Sequence, residues 1–266
     1  MYNKKIDFKT TEIPTNIEGS VFNREIFDKS GIFIVKNYIG NEIMSELQNS
    51  WNAFIDDLVN KGGRTIDNSN FVNFSDNLPP ELMDFWKSEV VKKIAIAIWG
   101  DDVALYNSRI VMKDKKSEHI VMLHQDYCYH IGFPQKCSLF IPLFKCGEDE
   151  GSLSFYPGTH QYGYLGDAGE IDPDKFHNWS KITPTIESGD IAIMNSCLWH
   201  ESGPNITNND RVMFDIIIQP SNDPSGTYLI AGDWKTDFWI DRKNKDFEVI
   251  SLFKKSRAKT IKNNFK

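Results

Sequence analysis

The chain has 266 residues, a formal net charge of −7, 40% hydrophobic and 25% charged residues, the balance of an ordinary globular protein. The acidic balance excludes a general nucleic-acid binder, which presents a basic surface. No apolar run reaches the length of a membrane span, and the start Met1-Tyr2-Asn3-Lys4-Lys5-Ile6-Asp7 lacks the apolar core of an export signal, so a cytoplasmic protein is expected. Cys128, Cys137, Cys146 and Cys197 form no Cys-x-x-Cys pair, which predicts free, mostly buried thiols.

Residues 1–19 are polar, with Pro14 and Gly19, and read as an extended arm. A short helix follows over 20–30, with Ser20 as its cap. Ile32-Phe33-Ile34-Val35 is the first strand. From Asn41, Ile43, Met44, Leu47, Trp51, Phe54, Ile55 and Leu58 recur at helical spacing, predicting an amphipathic helix that ends near Gly62-Gly63. Its aromatic stripe suits packing on a sheet. The polar stretch 64–78, with Phe71 and Phe74, reads as a loop at the mouth of a site. Pro79-Pro80 breaks the chain, and 81–99 form a second helix stopped by Gly100.

Val103 to Lys113 reads as a strand with Asn107, Arg109, Val111 and Lys113 on one face. A charged connection at 114–118 leads to a strand through His124. Lys136 to Phe144 is the next strand, turned by Gly147-Glu148-Asp149-Glu150-Gly151 into another. Residues 161–180 hold Gly163, Gly166, Gly169 and Pro173 without a sustained period and read as an irregular insertion. Ser188-Gly189-Asp190 signals a turn into an apolar strand that ends at His200, before Gly203-Pro204, and Arg211 opens a further strand through Ile218. Beyond Pro220, Trp234, Phe238 and Trp239 are expected to pack the tail on the core, and the basic run Lys254 to Lys266 to fray. This length suits one domain, with a helical layer over 1–100, a core over 101–220 and an extension over 221–266. Composition and spacing give mostly β with N-terminal flanking helices.

Side chains two apart on a strand share a face, so His124 and Asp126 in Leu123-His124-Gln125-Asp126 would project together, with Gln125 turned away. A distant histidine, His200, would complete two imidazoles and one carboxylate. That set caps one side of a metal, leaves positions open, and is diagnostic of non-haem Fe(II) oxygenases. Arg211 follows His200 by eleven residues.

These motifs, with Phe27-Asp28-Lys29-Ser30-Gly31 leading into the first strand and Gly151-Ser152-Leu153-Ser154-Phe155-Tyr156-Pro157-Gly158-Thr159-His160, resemble the phytanoyl-CoA dioxygenase family of Fe(II)/2-oxoglutarate-dependent oxygenases from Phe27 to about Pro220. The resemblance implies a double-stranded β-helix (jelly roll, cupin-like), Fe(II) on His124, Asp126 and His200, and O2 and 2-oxoglutarate as cosubstrates. It implies that Arg211 clamps the distal carboxylate of 2-oxoglutarate, a task suited to a guanidinium fork. Ser202 matches a family hydroxyl on the same carboxylate, or is a turn residue. Lys113 matches a lysine that contacts 2-oxoglutarate in the ectoine-hydroxylase branch, or is a solvated charge. Phe140 and Gln125 match positions near the cosubstrate, although Phe140 could equally be core.

Asn107 and Arg109 match substrate-pocket positions of that branch. Arg109 needs an anionic partner, whether a substrate group or a carboxylate such as Asp215 in a structural bridge. Cys128 shares the face of His124 and Asp126 if the strand continues, and His130, Phe74 and Trp199 complete a polar-aromatic lining. Related halogenases replace the metal-binding carboxylate by a small residue; Asp126 fills that place, so hydroxylation or another hydrogen abstraction is implied. The expected partner is a small-molecule substrate, a small polar metabolite or biosynthetic intermediate, with no nucleic acid and no membrane. A non-oxidative metal-binding barrel and a catalytically silent homologue are the alternatives, and oligomeric state is open.

Overall fold

The computed structural model describes residues 14, 16–61, 71–74, 78–166 and 179–240. In chain order these form β1 (Glu18–Gly19), α1 (Arg24–Ser30), β2 (Ile32–Val35), α2 (Asn41–Asn60), β3 (Phe71–Phe74), α3 (Pro80–Met83), α4 (Glu89–Trp99), β4 (Val103–Lys113), β5 (Val121–His124), β6 (Cys137–Pro142), β7 (Leu153–Phe155), β8 (Ile191–Asn195), β9 (His200–Ser202), β10 (Arg211–Pro220) and β11 (Tyr228–Ala231).

Two sheets face each other. The larger runs β1-β2-β8-β6-β10-β4-β11, with β3 also on β4, and the smaller runs β5-β9-β7. This is a double-stranded β-helix whose sheets do not close into a barrel. The larger sheet is covered on both faces, which is why its strands read as near-continuous apolar runs rather than alternating ones. On one face Phe33, Val35, Leu139, Ile193 and Phe214 meet Trp51, Leu82 and Ile94 of the helices. On the other, Ile32, Ile34, Val111, Phe140 and Met213 meet Leu153 and Phe155 of the smaller sheet. Each large apolar side chain so buried contributes about 1.5–3 kcal/mol. The strand set reaches beyond 101–220, since β1, β2 and β3 precede that span and β11 follows it.

α2 buries Met44, Leu47 and Trp51, three and four residues apart on one stripe. α1 begins at Arg24 rather than near Ser20, because Asn23 Oδ1 accepts the Ile26 amide at 3.1 Å. Gly31 ends it at φ 77°, and a Cβ there would lie 2.5 Å from His160 Nδ1, so helix, strand and the Pro157-Gly158-Thr159-His160 turn meet where only glycine fits. The helix expected over 81–99 is interrupted. α3 runs into a 3-10 turn at Phe85–Lys87, and the Ser88 hydroxyl then caps α4 by accepting the Val91 amide at 3.3 Å.

Within the expected loop 64–78, Phe71–Phe74 is a strand that pairs antiparallel with Lys113 to Ile110 of β4. Residues 64–70 and 75–77 of that loop lie outside the described residues, as do the expected helix end at Gly62-Gly63, 167–178 of the insertion, 1–13 and 15 of the arm, and the basic run 254–266. In the tail, Trp234 packs against Gly226, where a Cβ would come within 2.8 Å of its ring. Phe238 and Trp239 are 62% and 55% exposed rather than packed on the core, with the Trp239 ring meeting that of Trp234 edge-on at 6.0 Å. The four cysteines are free and buried. No described helix is long and apolar enough to cross a membrane.

Candidate active site

The smaller sheet places the two histidines. β5 and β9 pair antiparallel with His124 opposite His200, and the imidazole centroids stand 4.2 Å apart. Asp126 reaches them by a different route from simple strand alternation. β5 ends at His124, and Asp126 opens a 3-10 turn, Asp126–Tyr129. Gln125 forces that departure: its buried amide donates to the Gly163 carbonyl at 2.7 Å and to the Cys197 carbonyl, and accepts the Leu165 amide at 2.7 Å. The turn carries Asp126 Oδ1 to 3.3 Å from His124 Nε2 and 3.4 Å from His200 Nε2. The candidate ligand atoms of the three all lie within 4.8 Å of one another.

Each imidazole is oriented from behind. His124 Nδ1 lies 2.7 Å from the Met122 carbonyl and His200 Nδ1 lies 3.0 Å from that of Leu198. A carbonyl only accepts, so Nδ1 carries hydrogen in both rings and Nε2 is the atom offered to the centre. Burial raises the Asp126 pKa, but the two imidazoles outweigh it and hold the carboxyl well below its ordinary range. Ser138 Oγ donates to Asp126 Oδ2 at 3.2 Å, leaving Oδ1 for the cluster. Two imidazole nitrogens and one ionised carboxylate oxygen on one side of a common point fit a divalent transition metal with open positions.

Beside this cluster the larger sheet brings two cations together. Lys113 and Arg211 are register partners on β4 and β10, exposed by 0% and 1%. Lys113 Nζ donates to Ser202 Oγ at 2.9 Å and to the Gly203 carbonyl, while Arg211 Nη1 contacts Met213 Sδ at 3.1 Å. Burial, reinforced by the neighbouring guanidinium, pulls the Lys113 ammonium down to about 7. Burial lowers Arg211 as well. A buried pair of like charges is relieved by an anion bound between them.

The sequence model of the phytanoyl-CoA dioxygenase (PhyH) family matches residues 27–213, which hold the whole of this arrangement. The chain belongs to the phytanoyl-CoA dioxygenase family. A curated relative, "Dioxygenase andF" of Emericella variicolor, is 21% identical over 214 residues, 73% of this chain and 72% of that protein. Among solved structures, the apo non-haem monooxygenase ThoJ superposes with a TM-score of 0.66 at 16% identity, over 91% of this chain and 96% of ThoJ. The epimerase SnoN from nogalamycin biosynthesis, solved with Fe3+, α-ketoglutarate and nogalamycin RO, superposes with a TM-score of 0.60 at 14% identity, over 76% of this chain and 84% of SnoN.

Other residues singled out from the sequence divide into two groups around this family centre. Phe140 lies on the interior face of β6, 5% exposed, opposite Asp215 of β10. Asn107 and Arg109 also face the interior, held in step by Ile217 and Asp215, whereas a bulge leaves Tyr106 as the extra residue before them. Arg109 is bound to Asp215, with Nε at 2.8 Å and Nη2 at 2.6 Å from Oδ2. His130 lies against the Tyr106 ring at 4.9 Å.

The second group sits elsewhere. The Gln125 amide is spent on backbone groups of Gly163, Leu165 and Cys197, which leaves no free N–H for a cosubstrate. Cys128 does not extend the β5 face, because the strand stops and Cys128 lies in the 3-10 turn, 1% exposed. Phe74 packs edge-on against Trp51 and Phe54 of the helical layer, at 5.4 and 5.8 Å. Trp199 is enclosed with Leu123 and Tyr156. Ser138 was not among the sequence candidates, although it shares the Phe140 face of β6 and strand alternation already pointed it inward.

Proposed function

We propose that this chain is an Fe(II)- and 2-oxoglutarate-dependent dioxygenase that hydroxylates a small polar metabolite, converting 2-oxoglutarate and O2 to succinate and CO2 as one oxygen atom enters the substrate C–H bond. The observation that carries this reading is the adjacency of two sites. The His124/Asp126/His200 cluster adjoins a buried cationic pocket of Lys113, Arg211 and Ser202, with Ser202 two residues from His200 on β9. A barrel that only binds metal has no use for two buried cations beside it.

His124, Asp126 and His200 would hold the iron, which when bound supplies the activation of O2. Arg211 would meet the distal carboxylate of 2-oxoglutarate, with Lys113 and Ser202 completing the anion pocket. Ser138 keeps Asp126 turned toward the metal, and the Met122 and Leu198 carbonyls keep both imidazoles in the ligating tautomer. Phe140 and Met213 shield this part of the interior, which strengthens every charge interaction within it. The buried free thiols suit a reducing compartment, so we place the enzyme in the cytoplasm.

The test is anaerobic addition of Fe(II) and 2-oxoglutarate to the purified protein. A weak visible charge-transfer band is expected, and His124→Ala, Asp126→Ala and His200→Ala should each abolish it. A protein that binds iron normally after losing two of the three would overturn the assignment.

A further inference from the structure

Asp215 is 1% exposed on the interior face of β10. It stands opposite Phe140 of β6, two residues from Ser138, whose hydroxyl holds Asp126. Its charge bears on both Asp126 and His200. Arg211 lies four residues away on the same strand, about 13 Å along it at ~3.3 Å per residue. Asp215 is thus on the metal side of the interior and away from the cationic pocket.

Its pairing with Arg109 is lopsided. A guanidinium fork that meets a carboxylate squarely spreads its two donors over both oxygens. Here Nε and Nη2 both fall on Oδ2, at 2.8 and 2.6 Å. Oδ1 is buried, and no described residue donates to it. An acceptor at that depth loses its hydration on folding, and a bridge built only to close the wall would engage both oxygens.

This inference rests on the dioxygenase reading and extends it to the substrate. We propose that Asp215 Oδ1, steadied by Arg109, is a substrate-binding acceptor that takes a hydrogen bond from a hydroxyl group of a neutral, hydroxylated substrate. Arg109 already offsets the charge of Asp215. An anionic substrate group would meet repulsion from Asp215, and an ammonium group would leave net positive charge in the interior. A hydroxyl satisfies Oδ1 without adding charge. Held there, the substrate presents the carbons next to its hydroxyl toward the His124/Asp126/His200 cluster, so Asp215 selects which C–H bond is oxidised.

The experiment uses the anaerobic protein loaded with Fe(II) and 2-oxoglutarate, with trans-cyclohexane-1,2-diol and its dimethyl ether as probes. Paramagnetic Fe(II) broadens the proton signals of a molecule bound near it. The diol is expected to be broadened at concentrations about tenfold or more below those the diether requires, the discrimination a hydrogen bond to a charged group provides. Asp215→Leu should remove this preference while the charge-transfer band persists. Equal broadening by the two probes, no broadening by either, or a preference retained in Asp215→Leu each overturns the proposal. The two-probe comparison on the wild-type protein decides even if the variant fails to fold. Absence of the charge-transfer band would instead overturn the dioxygenase reading beneath it.

Discussion

β4 and β10 carry two charged pairs on one interior face, with Val111 and Met213 paired between them. At one position a cation faces a cation, Lys113 against Arg211; at the other a cation faces an anion, Arg109 against Asp215. Backbone geometry and strand direction are shared, so the difference lies in the side chains alone. The like-charged pair cannot satisfy itself, and both members are pushed toward giving up protons. An anion bound between its members would relieve it, as the proposed 2-oxoglutarate site requires. The opposite pair is nearly neutral as it stands, so it has no call on an ionic ligand and offers a fixed, directional acceptor instead. Two binding tasks are separated on one ladder by the sign of a single residue in each pair.

The same substitution made in each pair should break the comparison most sharply. Arg211→Met is expected to weaken 2-oxoglutarate binding by about 2–5 kcal/mol, the usual cost of truncating one partner of a buried charge-assisted contact. Iron binding should be nearly unchanged. Arg109→Met should do the reverse, leaving 2-oxoglutarate binding in place and lowering stability because Asp215 is left as a buried, unpaired charge. A fully buried pair would lose about 3–5 kcal/mol; the Arg109 side chain is 33% exposed, so about 2–3 kcal/mol is expected. Calorimetry of 2-oxoglutarate binding and denaturant unfolding of both variants check this. Loss of 2-oxoglutarate affinity in Arg109→Met would mean that the two pairs are not separate sites.

A smaller effect is expected where the opposite pair borders the metal centre. Ser138→Ala removes the 3.2 Å hydrogen bond that holds Asp126 Oδ2. Outer partners of this kind are worth about 10- to 100-fold in metal affinity. Competition for Fe(II) against a chromophoric chelator measures it, and an unchanged affinity would show that Asp126 is positioned by its turn alone.

The gentlest test is pH. Lys113 loses its proton in the folded protein near about 7, against an ordinary value of 10.5. Between those values the unfolded chain binds more protons than the folded one, so the unliganded fold gains stability as pH rises through the window. Binding of 2-oxoglutarate should move the other way. The dianion favours protonated Lys113, so its dissociation constant should rise above pH 7 by up to about tenfold per unit. Lys113→Met should flatten both profiles. A slope that survives this substitution would place the titrating group elsewhere.

The ligand histidines, Arg211 and the alternation from Asn107 to Lys113 were legible because each depends on short-range order. A strand period of two, a turn signal and a fixed spacing survive in one dimension. Asp126 shows the limit of that reasoning. Its place beside His124 follows on paper from the strand period, yet the strand ends first and a 3-10 turn delivers the carboxylate, because Gln125 is anchored by backbone groups about 40 and 72 residues downstream. The strand Phe71–Phe74 escaped for a similar reason: it is polar in context and exists as a partner for the free edge of β4.

By itself the sequence picked out the candidate residues of the proposed reaction, His124, Asp126, His200 and Arg211, residue types whose chemistry has few other uses in that order. It also determined the apolar strands and the amphipathic stripe of α2, since burial demands a periodic pattern. Only the tertiary structure decided who meets whom. That Lys113 reaches Ser202 across the two sheets, that Ser138 holds Asp126 of the 3-10 turn, and that Arg109 spends two donors on one oxygen of its register partner Asp215 are facts of how the sheets pack and pair. Register is set by the packing of both sheet faces at once, and a one-residue slip of β4 would turn Lys113 and Arg109 to the opposite face and away from Ser202 and Asp215.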